Sequence, residues 1–312
     1  MSTTNDLRLT GLHARYQFTD TIRVPIAVIG TMLFPSLSLL FFVVPQSFAK
    51  DAGPATTATA QLAVFAVMSV CLFTYGVGVA EDRALPWDAY TRTLPVGPSP
   101  RLIGRLINGL AFIVLGLVPL VLIAWLLTAA TLPPSRLGLT AAALLAAGVP
   151  LFASGISIGY SLSTKAALAV AQSLLLPLAF AGGLLLPPET FPGWLNLISR
   201  WLPTRAGRDL VVTATTGVAL PGTTLLVLGG WTLLTGSLAL WAYRRDEGVA
   251  FGEGCTLRRL PSFSTRGSRR PRRRKRTSPA FFAAGETVSR VRKPWTRPGW
   301  GRWHASTSMA RR

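Results

Sequence analysis

Three groups of residues in this chain have types and spacings that could do chemistry. The first is Glu81-Asp82-Arg83, followed by Trp87, Tyr90 and Leu94. The last three are spaced i, i+3, i+7, one face of a short helix that Pro95 would stop. Such a face can dock a soluble partner and pass force to its flanking segments, or lie on a membrane surface without a partner. The second group is the proline-cut stretch from Pro187 to Pro203, with Pro188, Phe191, Pro192 and Trp194 inside it. Aromatic rings in such a stretch suit headgroup depth. The third is a thin set of polar groups, Gln61, Asn108, Lys165 and Gln172, within or beside apolar runs. Their chemistry is hydrogen bonding, between helices or to a passing substrate.

Covalent catalysis has no evident equipment. The two histidines, His13 and His304, lie at opposite ends, and the two cysteines, Cys71 and Cys255, form no metal-ligand spacing. No nucleophile sits near a base, so no catalytic residue and no metal site is expected. The four lysines, 50, 165, 275 and 293, are followed by Asp51, Ala166, Arg276 and Pro294, so the chain carries no G-x-x-x-x-G-K-[ST] phosphate loop. No apolar run holds a central Asp or Glu of the kind an ion-coupled transporter uses.

The elements that must position these groups are long apolar runs. Half of the residues are hydrophobic and only 14% are charged, against about 25% charged in ordinary soluble domains. A bilayer needs about 20 apolar residues per spanning helix. Six runs approach that length: 24–44, 58–80, 104–130, 137–161, 166–186 and 223–243. The expected fold is therefore all-α, a six-helix polytopic membrane protein with re-entrant or interfacial short helices between the fifth and sixth spans. Gly155-Ile-Ser-Ile-Gly159 in the fourth span permits close backbone approach, within the chain or at a dimer seam. With the N-terminus inside, the inner segments before the tail hold ten Lys/Arg and the outer segments five. That bias predicts both termini in the cytoplasm.

Three regions follow: 1–23, a cytoplasmic N-terminal segment; 24–248, the transmembrane domain; and 249–312, a basic tail expected to be disordered. Residues 255–312 carry 17 Lys/Arg against the single acid Glu286, and so most of the formal net charge of +20. Three origins for the tail stay open: binding of anionic headgroups, contact with nucleic acid through Trp295, Trp300 and Trp303, or out-of-frame translation of GC-rich DNA. Nucleic acid is not an expected partner of the membrane domain.

The stretch Glu81-Asp82-Arg83 … Thr93-Leu94-Pro95-Val96-Gly97-Pro98 resembles the cytoplasmic loop of ABC-2 type permeases, and Leu186–Leu195 with Trp201-Leu202-Pro203 is similar to that family's segment after its fifth span. The chain has Gly97 where serine is common and Asp82 where a basic residue is common. The resemblance covers residues 1 to about 248 and implies the permease subunit of a bacterial ABC exporter in the cell membrane. It implies a homodimer or a paired permease subunit, surrounding membrane lipids, and a separate ABC ATPase that binds the ATP and Mg, with no cofactor on this chain. Glu81, Asp82, Arg83, Trp87, Tyr90, Leu94 and Pro95 would form the coupling helix and its ATPase contact. Pro187, Pro188, Phe191, Pro192, Trp194 and Pro203 would form the outer gate. The substrate would be hydrophobic or amphipathic: a drug, antibiotic, lipid or glycan. The alternative is a polytopic scaffold or sensor that moves nothing; an integral membrane enzyme would need a cluster of reactive groups that the sequence lacks.

Overall fold

In hydrocarbon every backbone polar group must be satisfied within its own segment, so apolar runs of this length fold as helices. The computed structural model describes residues 11–12, 15, 18–19, 33–85 and 99–256, and of 99–102 and 247–256 only the backbone. Among the described residues all regular structure is helical. We label the helices α1 (Leu33–Val43), α2 (Ala52–Ala84), α3 (Ser99–Leu127), α4 (Pro134–Ser161), α5 (Thr164–Ala181), α6 (Gly193–Ser199), α7 (Pro203–Thr216) and α8 (Thr224–Thr256). Five of them, α2, α3, α4, α5 and α8, are long and apolar enough to cross a membrane. The expected first span is described only as the shorter apolar helix α1, so the count of six lies partly outside the described residues.

The helix ends depart from the apolar runs for identifiable reasons. α2 begins at Ala52, six residues ahead of its apolar run, because Pro54 sits in its first turn, where a missing N–H costs nothing. α5 stops at Ala181 rather than Leu186. Gly182 and Gly183 follow, and Gly183 turns the chain at φ +72°, a conformation open to glycine. α8 continues past Arg244-Arg245 to Thr256, since charge alone does not end a helix. Residues 249–256, assigned to the tail by sequence, extend α8 instead.

α2 is the axis of the bundle: 83% of its apolar window is buried, against 17–39% for the other four spans. Its middle, Cys71–Val77, is a π-segment, the irregular wider turn often found at working parts of helices. Gly155 and Gly159 of α4 lie directly on this segment. A Cβ on Gly155 would land on the carbonyl oxygen of Cys71. One on Gly159 would sit 2.6 Å from the Val79 Cβ and 2.8 Å from the Gly76 oxygen. The Tyr75 ring packs edge-on against Phe152 of α4 at 4.5 Å, and its hydroxyl donates to the Leu106 carbonyl of α3 at 3.2 Å.

Most span hydroxyls are spent locally. Thr59, Ser69, Thr128, Ser154, Thr215 and Thr235 each donate to the carbonyl one turn back, at 2.6–3.0 Å. That satisfies them in an apolar medium without marking a path. α7 is inserted among the spans: Thr204, Ala206, Arg208, Val211 and Ala214 are buried, and Gly207 faces Ala147 of α4 and Val64 of α2. α6 carries Trp194, Leu197 and Ile198, all exposed.

Candidate functional site

At the end of α2 that leads into residues 86–98, the chain gathers its charges. Asp82 pairs with Arg105 of α3, which is 5% exposed. Arg83, one residue on, turns the other way. One of its terminal nitrogens donates to the Gly159 carbonyl at 2.8 Å and the Leu162 carbonyl at 3.4 Å. The other donates to the Asp246 carboxylate of α8. The Arg83 guanidinium also lies 5.7 Å from the Tyr160 ring centre, and Tyr160 meets Tyr243 of α8 edge-on at 5.2 Å. Thr164, the first residue of α5, donates to the Ala80 carbonyl at 3.2 Å. Two adjacent side chains at the foot of α2 therefore hold α3 on one side and α4 and α8 on the other. The planar guanidinium suits this work because its two terminal nitrogens reach carboxylate and carbonyls at once. It also covers carbonyls at the end of α4 that lack an intrahelical partner. Glu81, by contrast, is exposed.

A second charged knot sits at the other end of the bundle. Arg208 of buried α7 donates to Asp209 at 2.8 Å, lies 3.9 Å from the Glu189 carboxylate, and donates from Nε and Nη2 to the Gln61 carboxamide oxygen of α2 at 3.0 and 2.6 Å, with the amide turned to face it. Arg205 holds Asp209 from the other side at 3.0 Å, an i,i+4 pair. Thr204 donates to the Leu178 carbonyl of α5 at 3.1 Å. Gln61→Leu should therefore cost about 1–3 kcal/mol, because two buried guanidinium donors lose their acceptor. The measurement is the thermal midpoint of the detergent-solubilised protein. In an Arg208→Met background the same change should cost much less. Equal losses in both backgrounds would show that the amide does not serve Arg208.

Trp87, Tyr90, Leu94 and Pro95 lie outside the described residues. Of the outer-gate residues, Pro188 and Pro203 are buried, Phe191 is half-buried, and Pro187, Pro192 and Trp194 are exposed. Gln172 is exposed, whereas Asn108 is buried with its carboxamide oxygen unpartnered among the described residues. The sequence reading did not single out Arg105, Asp246, Arg208 or Asp209. The Arg205/Asp209 spacing was available as a signal; the partners of Arg105 and Arg208 on other helices were not. No group of three or more His, Cys, Asp or Glu among the described residues could hold a metal.

Both knots are anchors between helices, one at each end of α2. The chain is 24% identical over 228 residues to the "Putative transport permease YvfS" of Bacillus subtilis (strain 168), covering 71% of this chain and 91% of the relative. The family model for the ABC-2 type transporter matches residues 9–215, two thirds of the 312 residues, and takes in both charged knots except Asp246. This multi-pass membrane protein, a transport permease, belongs to the ABC-2 type transporter family.

Proposed function

We propose that this chain is the permease subunit of an ATP-driven exporter. It pairs with a second permease subunit and is driven by a separate ATPase, moving a hydrophobic or amphipathic substrate out across the bacterial cytoplasmic membrane. The observation that carries the proposal is the anchoring at the foot of α2. Asp82 and Arg83 stand at the end of α2, just ahead of residues 86–98 in the chain, and these two side chains reach α3, α4 and α8. A push on the loop by a nucleotide-driven motor would move α2 and α3 together through Asp82–Arg105. It would reach α4 and α8 through Arg83. The buried Gln61–Arg208 contact would link the upper part of α2 to α7, so that α7 follows and opens the outer side. The mostly apolar interior, with most of its hydroxyls satisfied one turn back, suits an apolar substrate. ATP and Mg would belong to the partner, because no lysine of this chain stands in a phosphate-loop motif.

The test is affinity purification from the native host in mild detergent, with mass spectrometry of the co-purifying proteins. The wild type should bring down an ATPase carrying a Walker A motif. Trp87→Ala/Tyr90→Ala should lose it while keeping the elution profile of the folded protein. Absence of an ATPase from both samples, with the protein folded, would favour the scaffold or sensor reading.

A further inference from the structure

Among the described residues, α8 presents an unpartnered face near the Arg83 end of the bundle. Ser237, Leu240, Trp241, Arg244 and Arg245 are spaced i, i+3, i+4, i+7, i+8, and together they line an open recess of about 500 Å³. Leu240 and Trp241 are exposed, as are both arginines. The Arg245 guanidinium lies 5.4 Å from the Trp241 ring centre. Arg244 has no hydrogen bond or ion pair among the described residues, and Asp246, the neighbouring acid, is turned away to Arg83. Among the described residues, the recess is therefore lined by two positive charges and no acid. Farther from the charged end, the helix stays apolar and open: Leu233 and Leu226 are 77% and 78% exposed.

We propose that this face seats the headgroup of one anionic phospholipid. The sequence of groups along α8 matches such a molecule from end to end. Two guanidiniums can take phosphate oxygens by paired N–H donation. An indole sits where the interface belongs. Leucines then run along the path of an acyl chain. A free inorganic phosphate would use only the first part of this profile, so the ligand is the lipid. The seat differs from attraction by the basic tail in being stoichiometric and in depending on two named arginines. It does not rest on the exporter reading, since a scaffold with the same α8 would hold the same lipid.

The test uses the full chain, delipidated in mild detergent and titrated with phosphatidylglycerol or phosphatidylcholine under native mass spectrometry. The wild type should retain one phosphatidylglycerol at concentrations where phosphatidylcholine is not retained. Arg244→Gln/Arg245→Gln should need about thirtyfold more phosphatidylglycerol for the same occupancy, given the worth of a basic residue near an anionic surface. Arg244→Lys/Arg245→Lys should recover most of the binding. Both arginines are exposed, so elution and thermal midpoint should not change; the single Arg244→Gln gives the same readout at smaller amplitude if the double variant extracts poorly. Equal retention by wild type and the Gln variant would overturn the proposal and assign the lipid to the tail. A change in oligomer mass without a change in retained lipid would also overturn it, making the face a contact between copies.

Discussion

Gly155→Ala and Gly159→Ala will each remove most of the folded protein, although glycine to alanine in a helix ordinarily gains about 0.5–1 kcal/mol. The added methyl at 155 lands on the Cys71 carbonyl, and that at 159 meets the Gly76 oxygen and the Val79 Cβ. Backbone atoms cannot move aside by changing rotamer. The π-segment of α2 and the whole of α4 would have to separate. Overpacking of ordinary side chains costs about 1–3 kcal/mol, and this contact should lie at or beyond the top of that range. Gly229→Ala in α8 is the control, because its Cβ meets nothing within 4 Å. The check is the monodisperse peak and thermal midpoint of detergent-solubilised variants. A Gly155→Ala midpoint at or above that of Gly229→Ala would show that α2 and α4 are not in contact as described.

Arg83→Gln is expected to have the next largest effect, on stability and on coupling together. It leaves the Asp246 carboxylate, whose side chain is 10% exposed, without its guanidinium, and uncovers the Gly159 and Leu162 carbonyls. Removing one partner of a buried ion pair costs about 3–5 kcal/mol. The 23% exposure of the Arg83 side chain places this pair near the lower figure. Arg83→Gln/Asp246→Asn should be less destabilised than the sum of its parts, because both charges of the pair are removed together. Arg83→Lys should fall between wild type and Arg83→Gln, keeping the charge but losing the fork that reaches the carbonyls. If Arg83 relays motion from the loop, the double variant will keep near-native stability in part yet lose ATP-dependent transport by reconstituted vesicles. Strictly additive midpoints would dissolve the pair as an energetic unit, and full transport by the double variant would remove its role in coupling.

The spans were legible because the bilayer imposes length on sequence, and about 20 apolar residues can do little else. Their ends were less so. The start of α2 at Ala52 and the run of α8 through Arg244-Arg245 both involve residues that are not apolar but are helical, and a hydropathy pattern cannot see them. α7 was harder. Arg205, Arg208 and Asp209 mark it by composition as an interfacial or re-entrant piece. It is buried because those charges satisfy one another and meet Gln61, on a helix far away in sequence. The charged loop drew attention to Glu81, Asp82 and Arg83, while the groups that give Asp82 and Arg83 their geometry, Arg105, Gly159 and Asp246, are supplied by three other helices. Only the fold brings them together. The face of Trp87, Tyr90 and Leu94 lies outside the described residues, so its docking role rests on spacing and family resemblance.

The Arg83–Asp246 pair also has a consequence for how the protein is made. Synthesis runs from the N-terminus, so α2 enters the lipid long before α8 exists. Until the ribosome has delivered residue 246, Arg83 has the Gly159 and Leu162 carbonyls and the Tyr160 ring to hold but not the carboxylate, and Gln61 waits in the same way for Arg208. The buried centre of the bundle is thus its early product, and the ionic closure of that centre is among its last. A quality-control protease that recognises an open guanidinium at the membrane surface would distinguish a finished bundle from an unfinished one by this single bond.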